Sequence, residues 1–329
     1  MLAFARQLGV EWIATNLLAT QGSRLSEDLL RATSVQGRLG AMGGIGGPPG
    51  GPSGPWKEEE LVGLLRRAEQ AGMKVGNVML HAFPHAVAGT AERDRDLENV
   101  RTSIRLAGRL GIPVVEYNFF SLRNVEGLHE TPGRGGASYR AFDDARVRDR
   151  SPIMELGPRS EEETWANLRR FLDAAVPAAK EAGVRLALHP NDPPVPVYRG
   201  VAQPAASIAQ WKRVVEYIPT PENGITFDTG VTGELNGDVP GLIRWFGARD
   251  CINHVHFRNV RTQEPALRYE ETFVDEGQVD MVAALRALHE TDYPRMVVPD
   301  HVPAVAGDTT KFGSWGYALG YMRGLMQSL

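Results

Sequence analysis

The sequence predicts an α/β fold built on a parallel sheet. Two observations carry this. Short runs rich in β-branched and apolar residues alternate with amphipathic helical runs along most of the 329 residues, and repeated βα units imply parallel strands joined by crossover helices. Several strand-like runs also end in a histidine or a carboxylate, and that end of the strands is where barrels of this class place their chemistry. At this length the leading architecture is a (β/α)8 TIM barrel over residues 1–329 as a single domain, lacking or replacing its first strand. A doubly wound sheet is the second choice, weakened because no strand leads into a phosphate-binding glycine loop.

The strands in order are "VEWIATN" (10–16), "MKVGNVML" (73–80), "IPVVEYNFF" (112–120), "VRLALHP" (184–190), "GITFDTG" (224–230), "INHVHFR" (252–258) and "RMVVPDH" (295–301). Between them lie helix patterns with charged outer faces at 57–72, 95–111, 160–183 and 278–290. Two of these end in Ala-Gly directly before a strand, as expected where glycine closes a helix. Seven strands are one short of a closed barrel. The stretch "ATSVQGRLG" (32–40) is a weak candidate for the eighth, which is otherwise absent. The Gly/Pro run at about 40–56 lacks the lysine and the strand–helix setting of a P-loop and reads as a flexible insertion. A second insertion, 121–159, is charged and glycine-bearing and is expected to cover the barrel mouth as a lid.

Composition narrows the function. The apolar fraction of 42% is enough for a sizeable core. A net charge of −4 without a basic patch argues against nucleic acid. Cys251 is the single cysteine, so no internal disulfide forms; it reads as a small buried filler. No apolar stretch approaches the roughly 20 residues that span a bilayer, and residues 1–20 lack a signal-peptide core. These features predict a soluble cytoplasmic protein with a small-molecule partner, no nucleic acid and no membrane; a homo-oligomer is compatible with them.

Alternation within the strands then places polar groups. His254, His256 and Arg258 share the inward face of their strand, and His189 lies in phase with Ala187. Asp228 lies with Thr226, Asp300 with Val298, and Glu116 with Asn118. A lone strand-end histidine is commonly structural, and Asp228 or Asp300 could cap a turn. Two histidines and two carboxylates converging on one rim instead match a divalent-metal site open to substrate.

The motifs "YNFF" (117–120), "HPNDPP" (189–194), "FDTG" (227–230), "HVHFR" (254–258), "EGQVDM" (276–281) and "PDH" (299–301) occur in an order that resembles the D-mannonate dehydratases of the UxuA type, metal-dependent barrels related to the xylose-isomerase-like group. The resemblance is strongest over residues 184–322 and extends over 58–120. It implies removal of water from D-mannonate to give 2-keto-3-deoxy-D-gluconate. It also implies a divalent metal, usually Mn2+, with Mg2+, Fe2+ or Co2+ as the other ions. The implied metal ligands are His189, Asp228, His256 and Asp300, and the implied acid/base residues are His301 and Tyr317. Arg258 and Asn118 fall where they would hold the substrate carboxylate and hydroxyls, and the proline-stiffened loop would aim Asn191 and Asp192 at the mouth. The chain departs from the family pattern at Asp228, where cysteine is usual, at Asn191, where the family has aspartate, and at Val302, where it has glycine. Glu116 is the alternative ligand should Asp228 not serve. A metal-dependent sugar isomerase or epimerase on the same barrel is the alternative function, and a sugar-acid sensor without turnover is a third.

Overall fold

The computed structural model describes residues 2–16, 54–80, 83–120, 126–153, 157–264 and 266–329. The candidate strand at 32–40 and most of the Gly/Pro insertion lie outside them. The chain begins with α1 (Leu2–Gln7), β1 (Trp12–Asn16), α2 (Glu58–Gln70), β2 (Lys74–Leu80), α3 (Pro84–Ala88), α4 (Arg93–Arg109) and β3 (Val114–Asn118). Next come β4 (Leu128–Pro132), β5 (Ser138–Asp143), α5 (Glu161–Ala182), β6 (Arg185–His189), the short pair β7 (Val197–Tyr198) and β8 (Val201–Ala202), α6 (Ile208–Tyr217) and β9 (Asn223–Asp228). Then follow α7 (Thr229–Glu234), α8 (Val239–Gly247), β10 (Ile252–His256), β11 (Asn259–Gln263), β12 (Arg268–Thr272), α9 (Met281–Glu290), β13 (Val297–Val298) and α10 (Phe312–Met326).

All seven expected strands are present and parallel, in the order β1-β2-β3-β6-β9-β10-β13. The sheet curls into a nearly closed barrel, and β10 approaches β3 and β6 across its interior. An eighth strand of this parallel sheet does not occur among the described residues. The seam between the two edge strands is narrowed by Met296, whose Cε would lie 3.3 Å from a Cβ placed on Gly76 of β2. The last strand is shorter than the expected 295–301, because only Val297 and Val298 pair with β10.

The local signals explain the elements. Helix α5 opens on a capping box, with the Ser160 hydroxyl accepting from the Glu163 amide and the Glu163 carboxylate accepting from the Ser160 amide. It closes on Gly183 at φ +66°, a left-handed conformation that glycine adopts without a Cβ clash. The inner strands β3, β6, β9 and β10 are buried on both faces, as a parallel sheet sandwiched by helices requires. Leu186, Ile225, Phe227 and Val255 pack outward into the helical layer, where the Phe227 ring meets Phe246 of α8 at 6.1 Å.

A second, antiparallel sheet, β11-β12-β5-β4, was not expected. Strands β4 and β5 come from the 121–159 segment, while β11 and β12 come from the connection that leaves β10. Their sequences, "LHETP", "NVRTQ" and "RYEET" among them, are too polar to read as core strands. Among the described residues no helix is long and apolar enough to cross a membrane.

Cys251 is buried, with its Sγ 3.2 Å from the Phe246 carbonyl oxygen. Burial pushes its thiol up to about 12, so at pH 8 it is neutral as well as inaccessible, and the thiolate is the reactive form. A disulfide reagent such as Ellman's is expected to leave the native protein unmodified at pH 8 and to modify one thiol per chain in denaturant. Reaction of the native protein at the rate of an exposed thiol would show that Cys251 is misplaced.

Candidate metal centre and active site

Three adjacent strands bring the expected ligands together. The register sets His256 of β10 beside Asp228 of β9, and β6 delivers His189 from the other side. His189 Nε2 lies 3.1 Å from His256 Nδ1. Asp228 Oδ2 is 3.8 Å from the first nitrogen and 3.7 Å from the second. Asp300 follows β13 and places its Oδ2 3.5 Å from His256 Nδ1. Ligand atoms about 2.0–2.2 Å from one ion stand about 2.8–3.6 Å apart in tetrahedral or octahedral arrangements. The His189–His256 and His256–Asp300 spacings fall in that range, and the two to Asp228 Oδ2 lie 0.1–0.2 Å beyond it. Two imidazole nitrogens with two carboxylate oxygens are also the donor chemistry of borderline-to-hard divalent ions.

Each group is held by a partner behind it. His189 Nδ1 is 2.7 Å from the Pro190 carbonyl oxygen, so that nitrogen carries the proton and Nε2 presents its lone pair to the centre. Asp228 does two jobs at once. Its Oδ1 accepts from the Val231 amide at 2.8 Å as the N-cap of α7, and its Oδ2 faces the histidines. The turn-capping and ligand readings of this residue are therefore compatible.

The electrostatics favour a cation here. Burial alone would raise Asp228, but Arg258 and His256 outweigh it and hold the carboxyl below its ordinary range. Burial likewise opposes ionisation of Asp300, yet His301 and His256 hold it well below that range. Burial would lower His256, whereas Asp300 and Glu116 on either side push it well above the usual imidazole value. The field that favours a proton on this ring is the field that would favour a bound cation.

Beside this cluster lies a second one, centred on two arginines. Arg258 is 2% exposed. Its Nε donates to Asp228 Oδ2 at 3.1 Å and its Nη1 to Glu234 Oε1 at 2.8 Å. Asp192 and Glu271 lie 3.5 and 3.6 Å from the same guanidinium. Gly230 makes room for it, since a Cβ there would fall 2.5 Å from Arg258 Nη1. Arg140 of β5 donates from Nη2 to Asp192 at 3.0 Å and from Nε to Glu271 at 2.8 Å. His301 closes the group, with Nδ1 3.2 Å from Glu271 Oε1 and Nε2 3.4 Å from Asp300 Oδ2. Its backbone sits at φ +43°, a conformation that non-glycine residues keep only where surrounding contacts enforce it.

Residues 157–329 match the family model described as D-mannonate dehydratase (UxuA), more than half of the chain. A mannonate dehydratase from Enterococcus faecalis is 30% identical over 314 residues, covering 83% of this chain and 86% of the relative. The chain belongs to the D-mannonate dehydratase (UxuA) family. The crystal structure of mannonate dehydratase from Streptococcus suis is similar over 100% of this chain and 89% of that one, with a TM-score of 0.81 and 27% identity. A D-psicose 3-epimerase structure, at a TM-score of 0.61 and 11% identity, shares the fold alone.

Against the UxuA pattern, the remaining expected residues separate. Asn118 stands at the rim beside His189 in the strand register, with its Nδ2 3.4 Å from Met79 Sδ. Tyr317 of α10 is 43% exposed and lines the same cleft as Arg258, Asp300 and His301. Two expectations need correction. Arg258 was expected to hold the substrate carboxylate, but it is enclosed by the protein's own carboxylates. Asn191 was expected to point at the mouth, but its amide is buried: Nδ2 donates to Gln203, and Oδ1 accepts from the Ala205 amide at 2.7 Å. Asp192 is buried in the Arg140–Glu271–His301 group. Sequence reasoning missed Arg140, Glu234 and Glu271. The alternation of "SYRAFD" (138–143) was the available signal for Arg140.

Replacing Arg258 with methionine leaves four buried carboxylates without their shared cation, and breaking a buried ion pair costs about 3–5 kcal/mol. Urea denaturation should show a loss of that size. A loss below about 1 kcal/mol, which is typical of an exposed pair, would contradict its central position.

Proposed function

We propose that the chain is a carbon–oxygen hydro-lyase that dehydrates D-mannonate to 2-keto-3-deoxy-D-gluconate, in the cytoplasm, with a divalent ion held by His189, Asp228, His256 and Asp300. The observation that carries the reading is the grouping of His189, Asp228 and His256, with Asp300 beside His256 and His301 beside Asp300, in a chain of the UxuA family. A divalent ion bound there would supply Lewis-acid polarisation of the substrate's carboxylate and adjacent hydroxyl. Mn2+ is the ion proposed. Asp228 supplies a carboxylate where the family usually has a thiolate, which keeps the charge and favours harder ions over zinc.

The reaction takes the proton from the carbon next to the carboxylate and expels the hydroxyl of the following carbon as water, and the enol that remains becomes the keto product. His301 is turned by Glu271 so that its Nε2 faces the cleft between Asp300 Oδ2 and Arg140 Nη1, each 3.4 Å away, which suits it to take the proton. The Tyr317 phenol is pushed above its ordinary value by partial burial and by Asp275. It therefore stays protonated and suits the leaving hydroxyl. General acid–base groups of this kind contribute about 10²–10⁴-fold each. Asn118, at the rim next to His189, is the residue proposed to meet a substrate hydroxyl.

The test is to incubate the Mn2+-loaded protein with a panel of aldonates and aldoses. A 2-keto-3-deoxy product from D-mannonate supports the reading, whereas an isomer or epimer of an aldose would replace it. His301→Ala and Tyr317→Phe should each lower turnover by at least about 100-fold while metal content stays at the unmodified level. Loss of metal from His301→Ala would make it a ligand instead. Asp228→Asn should bind Mn2+ far more weakly, and Asp228→Cys should retain an ion but shift its preference toward Zn2+. Mn2+ binding by Asp228→Asn as tight as in the unmodified protein would remove Asp228 from the ligand set.

A further inference from the structure

Glu116 lies below the cluster in the barrel interior and has no place in the chemistry described so far. It is buried on β3, and its carboxylate is fixed from two sides. Asn77 Nδ2 of β2 donates to Oε2 at 2.8 Å, and the Thr226 hydroxyl of β9 donates to Oε1 at 2.8 Å. These two bonds fix the plane of the carboxylate, and Oε1 then faces His256 Nε2 at 3.5 Å. The other nitrogen of that ring, Nδ1, faces His189, Asp228 and Asp300.

The two histidines therefore approach the centre in opposite senses. His189 turns Nε2 inward with Nδ1 on a backbone carbonyl, whereas His256 turns Nδ1 inward with Nε2 on a carboxylate. A neutral imidazole that offers the lone pair of one nitrogen carries its proton on the other. For His256 that proton must sit on Nε2, facing an anion. An outer carboxylate commonly fixes the tautomer and ring orientation of a metal-bound histidine, and losing it costs about 10–100-fold in affinity.

We propose that Glu116 is the positioning residue for His256: held by Asn77 and Thr226, it keeps the ring proton on Nε2 and so presents Nδ1 to the ion. This deepens the metal reading above and depends on it. The competing arrangement is a second ion among Glu116, His254 and His256, whose donor atoms lie within 4.8 Å of one another. Against it, Glu116 already accepts one side-chain hydrogen bond on each oxygen. The buried His254 Nε2, which lacks a hydrogen-bond partner, speaks in its favour.

The test uses the full chain freed of metal and MnCl2 as the probe. Free Mn2+ is read by electron paramagnetic resonance, and the histidine tautomers are read by 15N NMR of the Zn2+-loaded, 15N-histidine-labelled protein. The unmodified chain is expected to bind one ion, with the His256 proton on Nε2. Glu116→Gln, which keeps the shape, and Glu116→Ala should each weaken Mn2+ binding about 10–100-fold and lose the single Nε2–H signature. Glu116→Gln carries the test if Glu116→Ala does not fold. Binding within threefold of the unmodified chain, with the His256 signature intact, overturns the positioning role while leaving the metal centre standing. Two ions per chain, one of them lost in Glu116→Gln, make Glu116 a ligand and also overturn it. No binding by the unmodified chain removes the metal reading itself.

Discussion

The buried guanidinium of Arg258 is the constraint around which the site is built. Moving a charge out of water costs several kcal/mol unless close partners replace the solvent. Here one cation is shared by carboxylates from separate parts of the chain: Asp228 at the end of β9, Glu234 at the end of α7, Asp192 after β6 and Glu271 on β12. Each carboxylate would be costly alone, and the arginine would be costly without them. The group therefore assembles together or not at all, and it locks the second sheet onto the barrel rim. Burial pushes Glu234 well above its ordinary carboxyl range despite Arg258, while Arg140 and His301 hold Glu271 below it. Ionisation is thus shared unequally, which limits repulsion among acids packed so closely.

The candidate ion centre shares Asp228 with this arrangement. Arg258 takes one lone pair of Asp228 Oδ2, the Val231 amide takes Oδ1, and what remains of Oδ2 faces the histidines. A side chain constrained at both oxygens cannot swing away when the centre is empty, so its geometry is paid for by folding. The peptide carbonyl behind His189 serves the same end. Such preorganisation lowers the ordering cost of binding.

Much of this was legible in the sequence. The seven strands and their order follow from alternating βα signals, and the rim histidines and acids follow from strand phase. The phase arguments worked because a barrel strand is extended and regular, so a two-residue period converts directly into a direction. They failed where the backbone leaves the strand. Arg258 is in phase with His256, yet it lies two residues beyond the end of β10 and turns to meet α7. Asn191 follows Pro190 in an irregular loop, where no period fixes its direction. Arg140 and Glu271 were out of reach for another reason. Their pairing joins segments 131 residues apart, and nothing local to either strand announces the partner. Asp228 looked like a choice between cap and ligand because the two oxygens of one carboxylate were read as one group.

The second sheet has a consequence for how such an enzyme can diversify. Its strands β4, β5, β11 and β12 are insertions relative to a bare barrel, and they bring Arg140 and Glu271 against His301 and Asp192 while contributing none of the four candidate ligands. Connecting segments tolerate changes of length and sequence better than the elements they join. Descendants of one ancestral barrel could therefore edit this appended layer while the inner residues His189, Asp228, His256 and Asp300 continue unchanged. The candidate ligands and the appended sheet are carried by different parts of the polypeptide and are free to evolve at different rates.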